Sequence, residues 1–211
     1  MPELDIDQVV LILDTALSAL AEQRDVLRDL DAAVGDGDLG ITVDKGAHAV
    51  RAALAAQPPA TVADLLRTTG AAFAKANPST MAALVGAGLL AASKVAGDQR
   101  MWTTELAEEV GRAAMGRIAE RGKAELGDKT VLDALSPSLD ALHEAPEGQV
   151  LARMLRAATV GVEATTSRAG RRGRAAWVGE RGNGHPDPGA TAYVLLLTCL
   201  QDAQSADGFG I

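Results

Sequence analysis

The chain of 211 residues contains little of what several classes of protein require. Its one cysteine, Cys199, cannot form an internal disulfide, and the apolar residues around it favour a buried core thiol. Two Trp, one Tyr and two Phe are too few for platforms that stack on nucleic-acid bases, and too few for a typical β-rich core. Acidic residues outnumber basic ones by 28 to 20, so a broad basic face for nucleic acid or an anionic membrane is missing. We therefore expect neither partner.

Long hydrophobic runs are also missing. The longest, residues 9–13 and 192–197, fall far short of the ~20 residues that span a bilayer, and the acidic start does not resemble a signal peptide. His48, His143 and His185 occur in no zinc-binding spacing, so we expect them to be surface or structural residues. These absences predict a soluble protein of the reducing cytoplasm.

What the sequence does contain is alanine, leucine and helical periodicity. Hydrophobic residues make up 47% of the chain, enough for a sizeable core, and they recur at helical spacing in residues 9–20, 62–73, 106–118 and 151–162. Glycine- and proline-rich breakers separate about eight such stretches, and the short links between them predict antiparallel neighbours. We predict an all-α fold in a single domain, residues 1–211.

Local signals place some of the helix ends. Thr61 is expected to cap one helix, and Thr103 or Thr104 another, because hydroxyl side chains accept hydrogen bonds from the first free backbone N–H groups. Pro137 falls inside a helical pattern over residues 131–142, and we expect it to kink or divide that helix.

The stretch richest in chemistry is LDAAVGDGDLG, residues 30–40, which contains three aspartates and three glycines. The glycines fit the GxGxxG fingerprint of dinucleotide-binding folds, but the preceding residues have helical rather than strand character, and the carboxylates would repel a pyrophosphate. A Walker loop needs a GK[ST] continuation, and an EF-hand needs ligand positions and a final Glu that are absent. We therefore reject these three motifs.

Geometry favours a metal site instead. On one continuous helix Asp31 and Asp38 would lie ~10.5 Å apart along the axis, too far to share a metal ion. The chain must turn, and the glycines allow it to fold back and bring Asp31 toward Asp36 and Asp38. Clustered carboxylates favour magnesium, manganese or calcium, and magnesium implies a phosphate or nucleotide ligand. The alternative, a solvated Asp/Gly turn, stays open from these residues alone.

Two further polar stretches are candidates for binding. A long loop contains Arg171, Arg172 and Arg174, and arginine suits a phosphate or ribose contact; the alternative is a solvated basic loop. The glycine-rich residues 122–130 precede the helical pattern that starts at Val131, and an ordinary capped helix start explains them equally well.

Three motifs together resemble a known family. LDAAVGDGDLG, GDKTVLDAL at residues 127–135 and GRAAWVGERGNGHPDPGA at residues 173–190 are similar to the nucleotide-binding L subunit of bacterial dihydroxyacetone kinases and the C-terminal kinase domain of single-chain enzymes. The resemblance implies an antiparallel up-and-down barrel of about eight helices with a nucleotide across one end. It also implies phosphoryl transfer to a small ketose that a partner K subunit holds. The donor is ATP, or a retained ADP that a phosphotransferase-system protein rephosphorylates.

The resemblance also assigns roles to residues. It implies that Asp31, Asp36 and Asp38 hold a pair of magnesium ions and act in catalysis together with Arg174. The residues it assigns to the nucleotide are Leu39, Gly40, Ile41, Thr42, Ser79, Thr80, Gly122, Val131, Arg174, Asp187, Pro188 and Gly189.

Two departures from the family pattern concern the phosphate pocket. The family usually has His where this chain has Leu39, and Gly-Gly-x-Ser-Gly-Pro where this chain has Asn-Pro-Ser-Thr-Met-Ala at residues 77–82. Both changes bear on substrate identity more than on metal binding. A non-catalytic helical module that senses a nucleotide or metal is the alternative function, and a homodimer also stays open.

Overall fold

Helices make up most of the computed structural model, which describes residues 3–143, 146, 148–172 and 182–206. Within those residues there are nine helices: α1 (Ile6–Glu22), α2 (Arg24–Val34), α3 (Leu39–Ala56), α4 (Val62–Ala76), α5 (Thr80–Ala96), α6 (Thr104–Gly122), α7 (Leu132–Asp140), α8 (Val150–Thr166) and α9 (Pro188–Ala206). Two strands, β1 (Leu4–Asp5) and β2 (Met101–Trp102), pair antiparallel. The all-α prediction is confirmed. The strand pair was not predicted, because two residues are too few to show an alternating pattern.

Eight of the helices form a closed antiparallel ring. Contacts run from α1 to α3 and then in chain order to α9, and α9 packs back against α1. The ninth helix, α2, follows α1 after a single residue, Gln23, and packs mainly against α3. The prediction of about eight helices is therefore confirmed, with α2 added to the eight-helix ring.

The alternating direction of the ring brings helix starts together. Because neighbours in an up-and-down ring run in opposite directions, α3, α5, α7 and α9 all begin at one end, here named the α3 end. The opposite end holds the β1–β2 pair, and there the Val62 N–H donates to the Gln99 carbonyl at 2.8 Å. The described parts of the sequence-predicted binding segments precede or begin α3, α5, α7 and α9, so the ring places these parts at the α3 end.

Small residues allow the helices of the ring to approach closely. A Cβ at Gly86 in α5 would lie 2.9 Å from the Gly70 carbonyl oxygen of α4, closer than real Cβ contacts come. Large buried side chains such as Leu27, Val50 and Val62 fill the core between the helices. In the part of the chain that the structure describes, no helix is both long and apolar enough to cross a membrane.

Several local expectations can be checked directly. Thr61 caps α4 and Thr103, not Thr104, caps α6, each by accepting a backbone N–H. Pro137 does not divide α7, which continues to Asp140. Proline has no N–H, so the Asp133 carbonyl four residues earlier has no helical donor. Gly161 of α8 packs its backbone against that carbonyl, and a Cβ there would collide with it.

Candidate functional site

The acidic loop lies between α2 and α3. Helix α2 carries Asp31 in its last turns and ends at Val34, and Gly37 then turns the chain with a φ of +76°. A non-glycine residue adopts that left-handed conformation only at a cost. As a result, one carboxylate oxygen from each of Asp31, Asp36 and Asp38 lies within 4.8 Å of the others. The structure thus has the fold-back that the sequence predicts, while the role of these residues as metal ligands stays a prediction.

Two glycines make room for this arrangement. A Cβ on Gly35 would collide with Asp31 Oδ1, so the absent side chain leaves the space that the carboxylate occupies. The other oxygen, Asp31 Oδ2, accepts the Leu39 N–H at 3.3 Å. Gly40 is buried in the first turn of α3, where a Cβ would collide with the Arg24 carbonyl oxygen of α2. In this structure Gly40 sets how closely α3 packs on α2, and its contact with phosphate stays a prediction.

The electrostatics of the loop favour a bound cation. Burial and the neighbouring Asp31 carboxylate raise the pKa of Asp38, because both disfavour a second negative charge. A divalent cation among the three carboxylates would offset this cost of a charged Asp38, because it adds positive charge beside the carboxylate. An all-oxygen donor set with solvent access suits magnesium, so the residues present fit this ion. The start of α3 adds backbone N–H groups and the positive end of a helix dipole, which attract phosphate oxygens.

The starts of α3 and α5 are joined by a hydrogen bond that the sequence did not predict. Asn77 Nδ2 donates to Thr42 Oγ1 at 2.7 Å, and Thr42 is 1% exposed. Ser79 caps α5 by accepting the Ala82 N–H at 3.1 Å, next to Thr80. Thr42, Ser79 and Thr80, all predicted to contact phosphate, therefore lie in neighbouring helix starts. The only signal for Asn77 was its place in the segment that departs from the family pattern.

A second group of residues lies around the loop before α7. Gly122 ends α6, and Val131 immediately precedes α7, so both lie at this connection. Between them, Lys129 has a φ of +62° and is 3% exposed. Its Nζ donates to the backbone carbonyls of Thr166, Arg168 and Gly182 at 3.1, 2.8 and 2.9 Å. Sequence reasoning did not single out Lys129, although it lies inside the GDKTVLDAL motif.

Two aspartates hold this loop from within. The carboxylate of Asp133 accepts the N–H groups of Gly127 and Thr130, the latter at 2.8 Å. The carboxylate of Asp128 accepts the Glu125 N–H at 3.1 Å and Arg172 Nε at 2.7 Å. The hydrogen bond from Arg172 is the largest cause of a lowered pKa at Asp128.

Of the arginine cluster, Arg171, Arg172 and Arg174, the structure describes two members. Arg172 is paired with Asp128, and Arg171 lies 3.9 Å from the same carboxylate, so these two charges are already partly compensated. Arg168 and Arg171 also line a cavity of about 340 Å³ beside Gly127. Arg174, expected to anchor the nucleotide, lies outside the described residues.

The third predicted segment, Asp187, Pro188 and Gly189, begins α9. Asp187 Oδ1 accepts the Ala190 N–H at 2.7 Å. Burial raises the pKa of Asp187 to about 6; Asp133 adds to the increase, and Lys129 opposes it. Asp187 is therefore within electrostatic reach of the loop before α7.

The two groups meet through the chain that leads into α9. A Cβ on Gly182 would lie 3.9 Å from Val34 Cγ1, at the end of α2. His185 and Pro186 line a cavity of about 400 Å³ together with Leu30 and other residues of α2. The acidic loop and the α7–α9 group are therefore neighbours at the α3 end, and we name them the two halves of the candidate site.

Comparison with known proteins agrees with this architecture. The DAK2 domain family matches residues 33–202. A Listeria innocua protein, the ADP-binding subunit DhaL of PEP-dependent dihydroxyacetone kinase 1, is 33% identical over 85% of this chain and 87% of its own length. L-erythrulose 1-kinase of Mycolicibacterium smegmatis is 35% identical over 91% of this chain.

Solved structures show the same fold. The dihydroxyacetone kinase of C. freundii superposes with a TM-score of 0.72 and 26% identity, over 92% of this chain. The same kinase in complex with AMP-PNP and Mg²⁺ gives a TM-score of 0.71. This chain spans about a third of the length of the C. freundii protein and of L-erythrulose 1-kinase. From the family match over most of its length and these relatives, the chain belongs to the DAK2 domain family.

Proposed function

We propose that this chain binds ADP or ATP with magnesium and is the nucleotide subunit of a kinase for a small ketose. The ketose would be held by a partner K subunit. The observation that carries the proposal is the convergence of Asp31, Asp36 and Asp38 within 4.8 Å beside the start of α3, in a chain of the DAK2 domain family. Relatives named as an ADP-binding subunit and as L-erythrulose 1-kinase support the nucleotide and the ketose class.

The three aspartates would hold the magnesium, as two ions in our proposal. When bound, magnesium supplies positive charge that neutralises the phosphates and orients the group to be transferred. The complex of a structural relative with AMP-PNP and Mg²⁺ supports this assignment.

The chain's own backbone and hydroxyl groups would bind the rest of the nucleotide. The segment from Leu39 to Thr42 would contact the phosphates, and its first-turn N–H groups at Gly40 and Ile41 are suited to phosphate oxygens. The N–H groups of Leu39 and Thr42 already donate to Asp31 Oδ2 and to the Asp38 carbonyl. The hydroxyls of Ser79 and Thr80 lie at the neighbouring helix start. The loop from Gly122 to Val131 and the start of α9, Asp187 to Gly189, would bind the nucleoside on the other side. Arg174 keeps its proposed role as an anchor of the nucleotide.

The test compares Asp36→Ala with Asp98→Ala. Both aspartates are exposed, and Asp98 follows α5 at the opposite end of the ring, so the two variants lose the same charge at exposed positions inside and outside the acidic loop. Calorimetric titration with Mg-ADP should show that Asp36→Ala loses affinity on the order of tenfold to a hundredfold, with an unchanged melting temperature. Asp98→Ala should bind like wild type. Wild-type affinity in Asp36→Ala would contradict the proposed site.

Two further assays define the reaction. Stoichiometric ADP that survives dialysis would favour a retained cofactor that a phosphotransferase-system protein rephosphorylates, and an empty protein would favour ATP turnover. Mixing the chain with a K subunit, dihydroxyacetone and ATP should produce the phosphorylated sugar. A protein that binds Mg-ADP but gives no product with either donor system would instead be a nucleotide-sensing module.

A further inference from the structure

Among the described residues, the side chain of Lys129 forms hydrogen bonds with backbone carbonyls only. Its ammonium has three N–H donors, and three backbone carbonyls accept them, from Thr166, Arg168 and Gly182. Thr166 is the last residue of α8, and Gly182 lies in the chain that leads into α9. One buried side chain therefore joins the loop before α7 to two segments that are distant in sequence, residues 166–168 and Gly182.

Burial of this lysine is costly unless its contacts compensate. The residue is 3% exposed, and burial lowers the pKa of its ammonium, while the Asp187 carboxylate opposes that effect. The three carbonyl dipoles point their negative ends at the charge. A planar guanidinium has its donors in one plane, so arginine would not match three carbonyls around a tetrahedral nitrogen.

The backbone around Lys129 is tied to the same segments. The Gly184 N–H donates to the Thr166 carbonyl at 3.0 Å, and the Arg171 N–H donates to the Asp128 carbonyl at 3.1 Å. On its other side, Gly182 lies near Val34 at the end of α2, the helix that carries Asp31, since a Cβ added to Gly182 would be 3.9 Å from Val34 Cγ1. The position of Gly182 therefore affects both halves of the site.

We propose that Lys129 is a positioning residue for nucleotide binding, which holds residues 182–187 between α2 and the loop before α7 without touching the nucleotide. This inference rests on the proposed function above. The ammonium fixes Gly182 against Thr166 and Arg168, and that placement sets Asp187 at the start of α9.

The first test is chemical rescue. Lys129→Ala removes the part of the side chain that n-propylammonium can replace, and Lys94→Ala, at an exposed position in α5, is the matched control. We expect Lys129→Ala to bind Mg-ADP at least about tenfold more weakly than wild type and Lys94→Ala to bind normally. Added n-propylammonium should restore affinity, and tetramethylammonium at equal concentration, which has no N–H donor, should not. Equal effects of the two cations, or wild-type affinity in Lys129→Ala, would overturn the proposal.

The second test needs no nucleotide. In Lys129→Ala, the Gly184 amide should exchange its hydrogen at least about tenfold faster, while the Ala82 amide, which bonds to Ser79 at the start of α5, keeps its protection. Unchanged exchange at Gly184 would refute the positioning role. If wild type fails to bind Mg-ADP, the proposed function is wrong, and the exchange result still shows whether Lys129 holds the segment around Gly184 in place. Should Lys129→Ala not fold, Lys129→Met retains the apolar stem and takes its place in the exchange measurement.

Discussion

The geometry of Gly35 makes a sharp prediction about the acidic loop. A Cβ at this position would come closer than 3.0 Å to Asp31 Oδ1, and within 3.1 Å of both Asp31 Cγ and the Asp31 carbonyl oxygen. Gly35 has a φ of −147°, outside the left-handed region, and the contact of the new Cβ with Asp31 is the effect that Gly35→Ala introduces. The substitution adds one methyl group and changes no charge and no ligand residue.

The size of the effect follows from the overlap. To regain van der Waals contact, the Asp31 carboxylate must move by on the order of 1 Å, which is about half of a magnesium–oxygen bond of ~2.1 Å. It would also weaken its bond with the Leu39 N–H, now 3.3 Å. We expect Mg-ADP affinity to fall on the order of tenfold to a hundredfold, as when a group that orients a metal ligand is lost. Titration calorimetry measures this loss, and it should grow at low magnesium concentration.

Gly116→Ala provides the matched control. Gly116 lies on the exposed side of α6, where nothing is within 4 Å of the added Cβ. Because alanine replaces glycine in a helix interior, this variant should be more stable than wild type by about 0.5–1 kcal/mol, with unchanged affinity. If Gly35→Ala binds Mg-ADP as tightly as Gly116→Ala, the Asp31 carboxylate is not required where the structure places it.

Two other predictions concern the hydrogen bond between Asn77 and Thr42 and the aspartate at the start of α9. Asn77→Ala should lower the free energy of unfolding by about 1–2 kcal/mol, because it removes the hydrogen-bond donor to the buried hydroxyl of Thr42. In a Thr42→Val background the same change should cost little. Urea denaturation measures both costs, and additive values would contradict the proposed coupling between Asn77 and Thr42. Burial raises the pKa of Asp187 from 3.8 to about 6, so the folded state retains a proton that the unfolded chain releases near pH 4. Stability from this group is therefore full below about pH 4 and falls by about 2–3 kcal/mol as pH rises through about 6. Asp187→Asn keeps an oxygen that can cap α9, and its free energy of unfolding should lose this pH dependence between pH 4 and 7.5. An identical pH profile of stability in wild type and Asp187→Asn would refute the prediction.

The helical part of the fold was predictable because its signals are local. Apolar spacing identifies helices α1, α4, α6 and α8, and the hydroxyls of Thr61 and Thr103 mark the starts of α4 and α6. The division of α1 from α2 was not predictable from such signals. It occurs at Gln23, where neither glycine nor proline interrupts the helical pattern.

Part of the candidate site was equally local. Asp31, Asp36 and Asp38 lie within eight residues, so glycine chemistry and the reach of a helix were enough to predict that they approach one another. Asn77 with Thr42, and Lys129 with Gly182, are contacts between residues distant in sequence. Their partners are determined by which helices the ring brings together, and no spacing rule contains that information.

The two halves of the site therefore respond differently to mutation. The acidic loop depends on missing side chains at Gly35 and Gly40, which let α2, its carboxylate and α3 lie close together. The half around α7 and α9 depends on a buried charge, Lys129, and on the carbonyls that accept hydrogen bonds from its ammonium group. Added side-chain volume in the first half should weaken Mg-ADP binding with little effect on its pH dependence. In the second half, loss of the lysine charge should weaken binding. Gly182 lies near Val34, so a defect in the second half should also reach the end of α2, and the magnesium dependence of Lys129→Ala should reveal it.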